Sequence, residues 1–292
     1  MKVLLAVDRS LHAEQAVRAL RECLPGAEIE ILHVIDLEAN PHPHLSAALI
    51  EDYHRKLRTA LHEEANRFLP KLQTILVPIF RDVCVSVREG RAAESILEAA
   101  TSIQADLIVL GSRGLSEIQS LLLGSVSYRV AHEATCPVLV VRNELPVIRK
   151  ILLAVDRSEG AERAIQFLIA QSLFPPCPVL ALTVCPSPPF AELLPESARD
   201  HGHASASAYL KKVADRLSPR GFTVESRVVE GDPAAEILAL AEKEGVNLLV
   251  TGTRGLQGLK RWLLGSVSRK VLTHTTKSVL IVHGGPDHNV ES

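Results

Sequence analysis

The chain repeats itself, and this repeat constrains the fold more than any other feature. Residues 2–10 read KVLLAVDRS and residues 150–158 read KILLAVDRS, with eight identities in nine. Residues 105–127 align without gaps to residues 246–268, with twelve identities in twenty-three. Because the matching segments keep their order, a whole domain has been duplicated. The 292-residue chain is therefore predicted to hold two closely packed domains, at residues 1–143 and 149–285.

Each half of the sequence alternates predicted strands with predicted helices. Short segments rich in Leu and β-branched residues predict strands at 3–7, 29–34, part of 77–87, 107–110 and 138–141, and at 151–155, 179–184, 223–229, 248–251 and 279–282. Their lack of polar alternation indicates parallel strands that are covered on both faces. The predicted fold class is α/β, with two tandem, open, doubly wound five-stranded parallel sheets. The sequence offset between matching residues of the two halves falls from 148 at the first match to 141 at the later one. This decrease predicts that the second half has lost a net seven residues from a loop.

Charge and composition argue against several functional classes. The formal net charge of −2 gives no electrostatic reason to expect nucleic acid or an anionic membrane as a partner. No apolar run approaches the roughly 20 residues that span a bilayer, and the first residues do not resemble a signal peptide. Five cysteines without a Cys-x-x-Cys pair make a disulfide framework unexpected. A cytoplasmic location is therefore predicted.

A glycine pattern follows the fourth predicted strand of each half. It comprises Gly111, Arg113 and Gly114, then Gly124, Ser125, Val126 and Ser127, and in the second half Gly252, Arg254 and Gly255, then Gly265, Ser266, Val267 and Ser268. Glycine lets phosphate oxygens approach backbone N–H groups, and the later glycine opens a helix whose N-terminus favours an anion. A plain turn and helix cap is the alternative, disfavoured because both halves keep the spacing. The two arginines either clamp phosphate or are solvated loop residues.

Asp8 and Asp156 end the first predicted strand of each half. In open parallel sheets, ligands bind outside the carboxyl ends of the strands, where these carboxylates are expected. A contact with a ribose or base is favoured over a helix N-cap, a role for which Ser10 and Ser158 compete.

Two histidine pairs raise the possibility of a metal site. His42 and His44 form one pair, and His201 and His203 form the other. A stable zinc site needs three or four ligands, and no cysteine lies nearby. Exposed loop histidines are expected, and no metal site is predicted.

The pattern G-x2-G-x9-G-S/T after a strand, paired with an early aspartate, resembles the ATP-binding branch of the universal stress protein family. The resemblance covers nearly the whole chain, twice. It implies adenine nucleotide alpha hydrolase-like, Rossmann-like domains that bind ATP, ADP or AMP at two sites, with Mg²⁺ or Mn²⁺ as companion ion. Family members often dimerise through the last strand, which implies an intramolecular pseudo-dimer here and allows a further homodimer.

The resemblance also implies a role for individual positions. Residues bordering the base and ribose would be Ala6, Val7, Asp8, Val34, Ala154, Val155, Asp156 and Val184. Residues flanking the ribose and phosphates would be Leu110, Gly111, Thr251 and Gly252. Residues holding the phosphates would be Gly114, Gly124, Ser125, Val126, Ser127, Gly255, Gly265, Ser266, Val267 and Ser268.

The function implied by the resemblance is a regulatory or sensing protein of the stress response. The alternative is a slow ATPase or an autophosphorylating enzyme. The sequence contains no P-loop and no protein-kinase motifs, and the motifs place no obvious general base, so no catalytic residue is predicted. A scaffold without a ligand is disfavoured by the two intact glycine motifs.

Overall fold

The computed structural model of the protein describes residues 1–24, 26–37, 47–114, 123–142, 148–170, 174–185, 196–253 and 264–283. The first half contains β1 (Lys2–Ala6), α1 (Leu11–Cys23), β2 (Glu28–Ile35), α2 (Ala47–Leu76), β3 (Asp82–Glu89), α3 (Ala92–Ser102), β4 (Leu107–Gly111), α4 (Ser125–Glu133) and β5 (Val138–Val141). The second half contains β6 (Ile151–Ala154), α5 (Glu159–Ala170), β7 (Pro178–Cys185), α6 (Glu196–Leu217), β8 (Thr223–Glu230), α7 (Pro233–Lys243), β9 (Leu248–Gly252), α8 (Ser266–His274) and β10 (Ser278–Val282).

The ten strands form one sheet in the order β3-β2-β1-β4-β5-β10-β9-β6-β7-β8. Among the strands that the structure describes, all neighbours within each half are parallel, and one antiparallel pair joins β5 to β10. The α/β fold with two parallel five-stranded units is thus confirmed. The last strands of the two halves pair with each other, and this pairing joins the two five-stranded units into one continuous sheet.

Two apolar layers cover the faces of this continuous sheet. Buried side chains of α1, α2, α5 and α6 pack on one face, and those of α3, α4, α7 and α8 pack on the other. This arrangement explains why the central strands read as unbroken apolar runs, since both of their faces are buried. Among the described residues, every helix is too short or too polar to cross a bilayer.

Helices α2 and α6 differ in length, and this difference corrects a prediction. The seven-residue loss was expected in a loop, but α2 has 30 residues whereas α6 has 22. The second half has therefore lost about two helical turns. The apolar stretch before β3 also belongs to α2 down to the fully buried Leu76, so β3 begins only at Asp82.

The junction between the two halves is held by buried polar contacts beside the β5–β10 pair. The Arg142 N–H donates to Ser278 Oγ at 2.9 Å, and that hydroxyl donates to the Arg142 carbonyl at 3.1 Å. The Arg142 guanidinium donates to the Leu272 carbonyl on α8. Each half thus satisfies buried backbone groups of the other, which fixes how the sheets join.

Candidate functional site

A cavity of about 500 Å³ opens at the carboxyl edge of the second half. Its volume lies within the range of small-molecule sites, roughly 300–1,000 Å³. Every predicted site residue of this half that the structure describes lines it, namely Ala154, Val155, Asp156, Val184, Thr251, Gly252, Gly265, Ser266, Val267 and Ser268. Arg254 and Gly255 lie outside the described residues. One concave space therefore collects segments that are far apart in sequence.

The first turn of α8 forms one side of the cavity. Gly265 is the N-cap, in extended conformation, and makes no side-chain capping bond. Backbone N–H groups at a helix start have no partner within the helix, and the helix dipole makes this end positive. An anion is the chemical group that such an end accepts best. The first half repeats the arrangement, since Gly124 caps α4 without a side-chain bond.

Asp156 and Arg157 place opposite charges at the cavity. Asp156 accepts from the Ser158 N–H at 3.0 Å, while Ser158 Oγ accepts from the Ala161 N–H at 3.1 Å. Ser158 therefore takes the capping role, and Asp156 is left at the cavity. Arg157 adopts a left-handed backbone, with φ of 64°, and its side chain also lines the cavity.

The serines at 127 and 268 act differently from the phosphate donors that were predicted. Ser127 Oγ donates to the Gly111 carbonyl at 2.7 Å, and Ser268 Oγ donates to the Gly252 carbonyl at 2.9 Å. Both side chains are buried. A hydroxyl has one proton to donate, and here that proton goes to a backbone carbonyl rather than to a phosphate. The two hydroxyls therefore link α4 to β4 and α8 to β9.

The first glycine of each motif also has a packing role that the sequence did not reveal. A Cβ on Gly111 would lie 2.6 Å from the His12 backbone, and one on Gly252 would lie 1.9 Å from the Gly160 carbonyl oxygen. Helices α1 and α5 therefore approach β4 and β9 too closely for any side chain. Close helix–strand packing explains both glycines without a phosphate.

In the first half the structure brings the early aspartate and the glycine loop together, as predicted. A Cβ on Gly114 would lie 2.9 Å from Asp8 Oδ2, and Ser10 Oγ, which donates to Asp8 Oδ1 at 2.5 Å, lies 3.2 Å from the Arg113 carbonyl oxygen. Ser10 caps α1, which leaves Asp8 outside that role. Arg113 is not a fully solvated loop residue, because its Nε is buried.

Other predicted positions of the first half lie mainly in or beside the core. Ala6, Val7 and Leu110 are buried, whereas Val34 is half-buried at the end of β2. Ser125 and Val126 line a separate cavity of about 300 Å³ together with Asp36, Arg91 and Arg129.

Sequence reasoning missed an entire wall of the second-half cavity. Gly202, Ser205 and Ala206 on α6, Thr183 on β7 and Ile237 on α7 all line it. The segment of α6 carries no phosphate-type motif and was not predicted as a helix. Its small residues at i, i+3 and i+4 were the one available signal.

The histidines of α6 correct a further prediction. His201 and His203 lie in a helix rather than a loop, and His203 Nε2 lies 2.7 Å from Glu230 Oε1. In the part of the chain that the structure describes, no three His, Cys, Asp or Glu side chains cluster as a metal site would require. His42 and His44 lie outside that part.

Known proteins are similar to nearly the whole chain or to one half of it. A universal stress protein of Mycolicibacterium smegmatis is 28% identical over 96% of both chains. A universal stress protein of Thermus aquaticus is 35% identical over 48% of this chain and 97% of its own. The crystal structure of a universal stress protein from Archaeoglobus fulgidus covers 97% of this chain and 98% of its own, with 22% identity and a TM-score of 0.67.

A family sequence model matches each half of the chain separately. Its description is "Universal stress protein family", and it matches residues 1–142 and again residues 148–283. The repeat, the α/β fold and the two matches agree. The chain is therefore a tandem, two-domain member of the universal stress protein family.

Proposed function

We propose that the protein binds an adenine nucleotide in the cavity of its second domain and acts as a regulatory protein of the stress response. The observation that carries this proposal is the uncapped first turn of α8, which faces a cavity of about 500 Å³. A phosphate chain bound there would accept hydrogen bonds from the backbone N–H groups at the start of α8.

The opposite walls suit the rest of a nucleotide. Apolar side chains of Val155, Leu182, Val184 and Ile237 line the cavity and would pack against a base. Asp156 would accept hydrogen bonds from ribose hydroxyls or an adenine amino group. A companion Mg²⁺ or Mn²⁺ would be held by phosphate oxygens and water, with Asp156 as the carboxylate that the described lining offers.

Regulation would act through α6. This helix contributes Gly202, Ser205 and Ala206 to the cavity, while His201 and Ala208 are exposed to solvent. A bound nucleotide would therefore fix a helix whose outer face a partner protein can reach. The cytoplasm is the proposed compartment, because all five cysteines are unpaired.

Replacing Ser266 by aspartate is expected to abolish nucleotide binding without weakening the fold. Ser266 is the first residue of α8, where a carboxylate interacts favourably with the helix dipole, by about 0.3–1 kcal/mol. The same carboxylate would repel a phosphate at that helix start. Calorimetric titration with ATP should show no binding, while the Tm of the ligand-free protein stays equal or rises.

Leu11→Asp is the matched control for this variant. Leu11 is the first residue of α1 and is 62% exposed, so the substitution adds the same charge at another helix start. It should leave nucleotide affinity unchanged. Binding of parental strength by the Ser266→Asp protein would rule out the start of α8 as the phosphate site.

ATP turnover is expected to stay well below about 1 s⁻¹, the lower end of the range typical of kinases. Among the described lining residues, Asp156 is the only carboxylate and no lysine is present. Backbone N–H groups hold ground state and transition state with similar strength, which does not raise turnover. Steady-state phosphate release with Mg²⁺ or Mn²⁺ measures the rate. Turnover near one per second that disappears in Ser266→Ala would instead identify an enzyme.

A further inference from the structure

The same histidine–glutamate contact occurs in both domains, and it allows α6, which lines the second-domain cavity, to be aligned residue by residue with α2 of the first domain. His62 Nε2 on α2 lies 2.8 Å from Glu89 Oε1, and His203 Nε2 on α6 lies 2.7 Å from Glu230 Oε1. Both histidines lie 27 residues before their glutamates, and the two contacts are offset by 141 residues. Helices α2 and α6 therefore hold equivalent positions against β3 and β8.

Three cavity-lining positions of the second domain carry much larger side chains in the first. The helix register gives two of them, and the strand register gives the third, because Ala6 pairs with Leu32 as Ala154 pairs with Leu182. The pairs are Gly202 against Leu61, Ser205 against Glu64, and Thr183 against His33. The His33 ring also packs edge-on against Phe68 at 5.1 Å, which holds it in place. Positions that line the open cavity of the second domain thus carry larger side chains in the first.

The same positions change the charge of the site. Arg157 donates to Ser205 Oγ at 2.8 Å and stacks over Tyr209 at 5.5 Å, so its positive charge remains at the cavity. Its counterpart Arg9 forms a salt bridge with Glu64. Because that carboxylate neutralises the arginine and would repel phosphate, the first domain loses attraction for a nucleotide as well as room for it.

Building on the proposed function, we infer that the chain has one high-affinity nucleotide site, in the second domain. His33, Leu61 and the Arg9–Glu64 pair close the equivalent site in the first domain. The glycine motifs alone predict two equal sites, because they describe the phosphate end and contain no information about the helix wall. The first domain serves mainly to complete the sheet through β5.

Calorimetric titration of the full chain with ATP tests this inference through an exchange of residues between the domains. The wild-type protein should bind about one nucleotide per chain. Closing the second site with Gly202→Leu and Ser205→Glu should weaken that binding at least tenfold. Opening the first site with His33→Thr, Leu61→Ala and Glu64→Ser should raise the stoichiometry towards two.

Circular dichroism and thermal unfolding of each variant show whether it is folded. Should the double closing variant not fold, Ser205→Glu alone introduces the carboxylate at an exposed helical position and should still weaken binding. Two sites of equal affinity in the wild type, or parental affinity in the folded closing variant, would overturn the inference. Absence of any ATP binding by the wild type would contradict the proposed function itself, and with it this inference.

Discussion

Replacing Gly252 by alanine is expected to lower the free energy of unfolding by about 3 kcal/mol or more, the upper end of what overpacking costs. The new Cβ would lie 1.9 Å from the Gly160 carbonyl oxygen and 2.2 Å from its carbonyl carbon. These are backbone atoms, so no side chain can rotate away. Helix α5 would have to move off β9, and buried contacts across this layer would be lost. Urea unfolding followed by circular dichroism measures the effect.

Two further glycine-to-alanine changes calibrate this result. Gly111→Ala should cost less, because its Cβ would lie 2.6 Å from the nearest backbone atom of His12. Gly202→Ala should stabilise by about 0.5–1 kcal/mol, because it lies within α6 with nothing within 4 Å of its Cβ and alanine is the better helix former. Equal stability of all three variants would show that α5 does not approach β9 as closely as described.

The strands and their parallel arrangement could be predicted from sequence because the information for them is local. Parallel strands buried on both faces leave unbroken apolar runs, as at β4 and β9, and the duplication shows each run twice. The pairing of β5 with β10 was implied only by the family resemblance. Nothing in the apolar residues of either strand identifies its partner, since strand pairing depends on contacts distant in sequence.

The site could be predicted only in part, because its motifs describe one end of it. The glycine motif located the start of α8 but could not show that Ser268 bonds to the Gly252 carbonyl. The other wall includes Gly202, Ser205 and Ala206, whose spacing is a weak signal because none of these side chains is typical of a phosphate or base contact. Only the helix register of the folded chain aligns them with the larger side chains of the first domain.

His283 follows the last strand, β10, and lies almost wholly inside the protein, with 2% of its surface exposed. Its ring lies against the Ala131 backbone of the first domain, with His132 and the positively charged Arg163 nearby. Burial is the main cause that lowers the pKa of His283 to about 4; the contact with the Ala131 backbone raises this pKa, and interactions with His132 and Arg163 lower it. A protonated imidazole is therefore poorly tolerated at this contact between the domains.

The stability of the protein is expected to fall as the pH is lowered from about 6.5 to about 4 because of His283. Its pKa is depressed in the folded state, so the unfolded chain takes up the proton first, and unfolding is favoured as the pH falls through this window. The full shift corresponds to about 3 kcal/mol. Urea unfolding at several pH values should show this loss in the parent and a smaller loss in His283→Gln, which cannot titrate. His274→Gln, at the exposed end of α8, is the matched control and should follow the parent. Parallel pH profiles for the parent and His283→Gln would contradict a neutral, buried His283 between the domains.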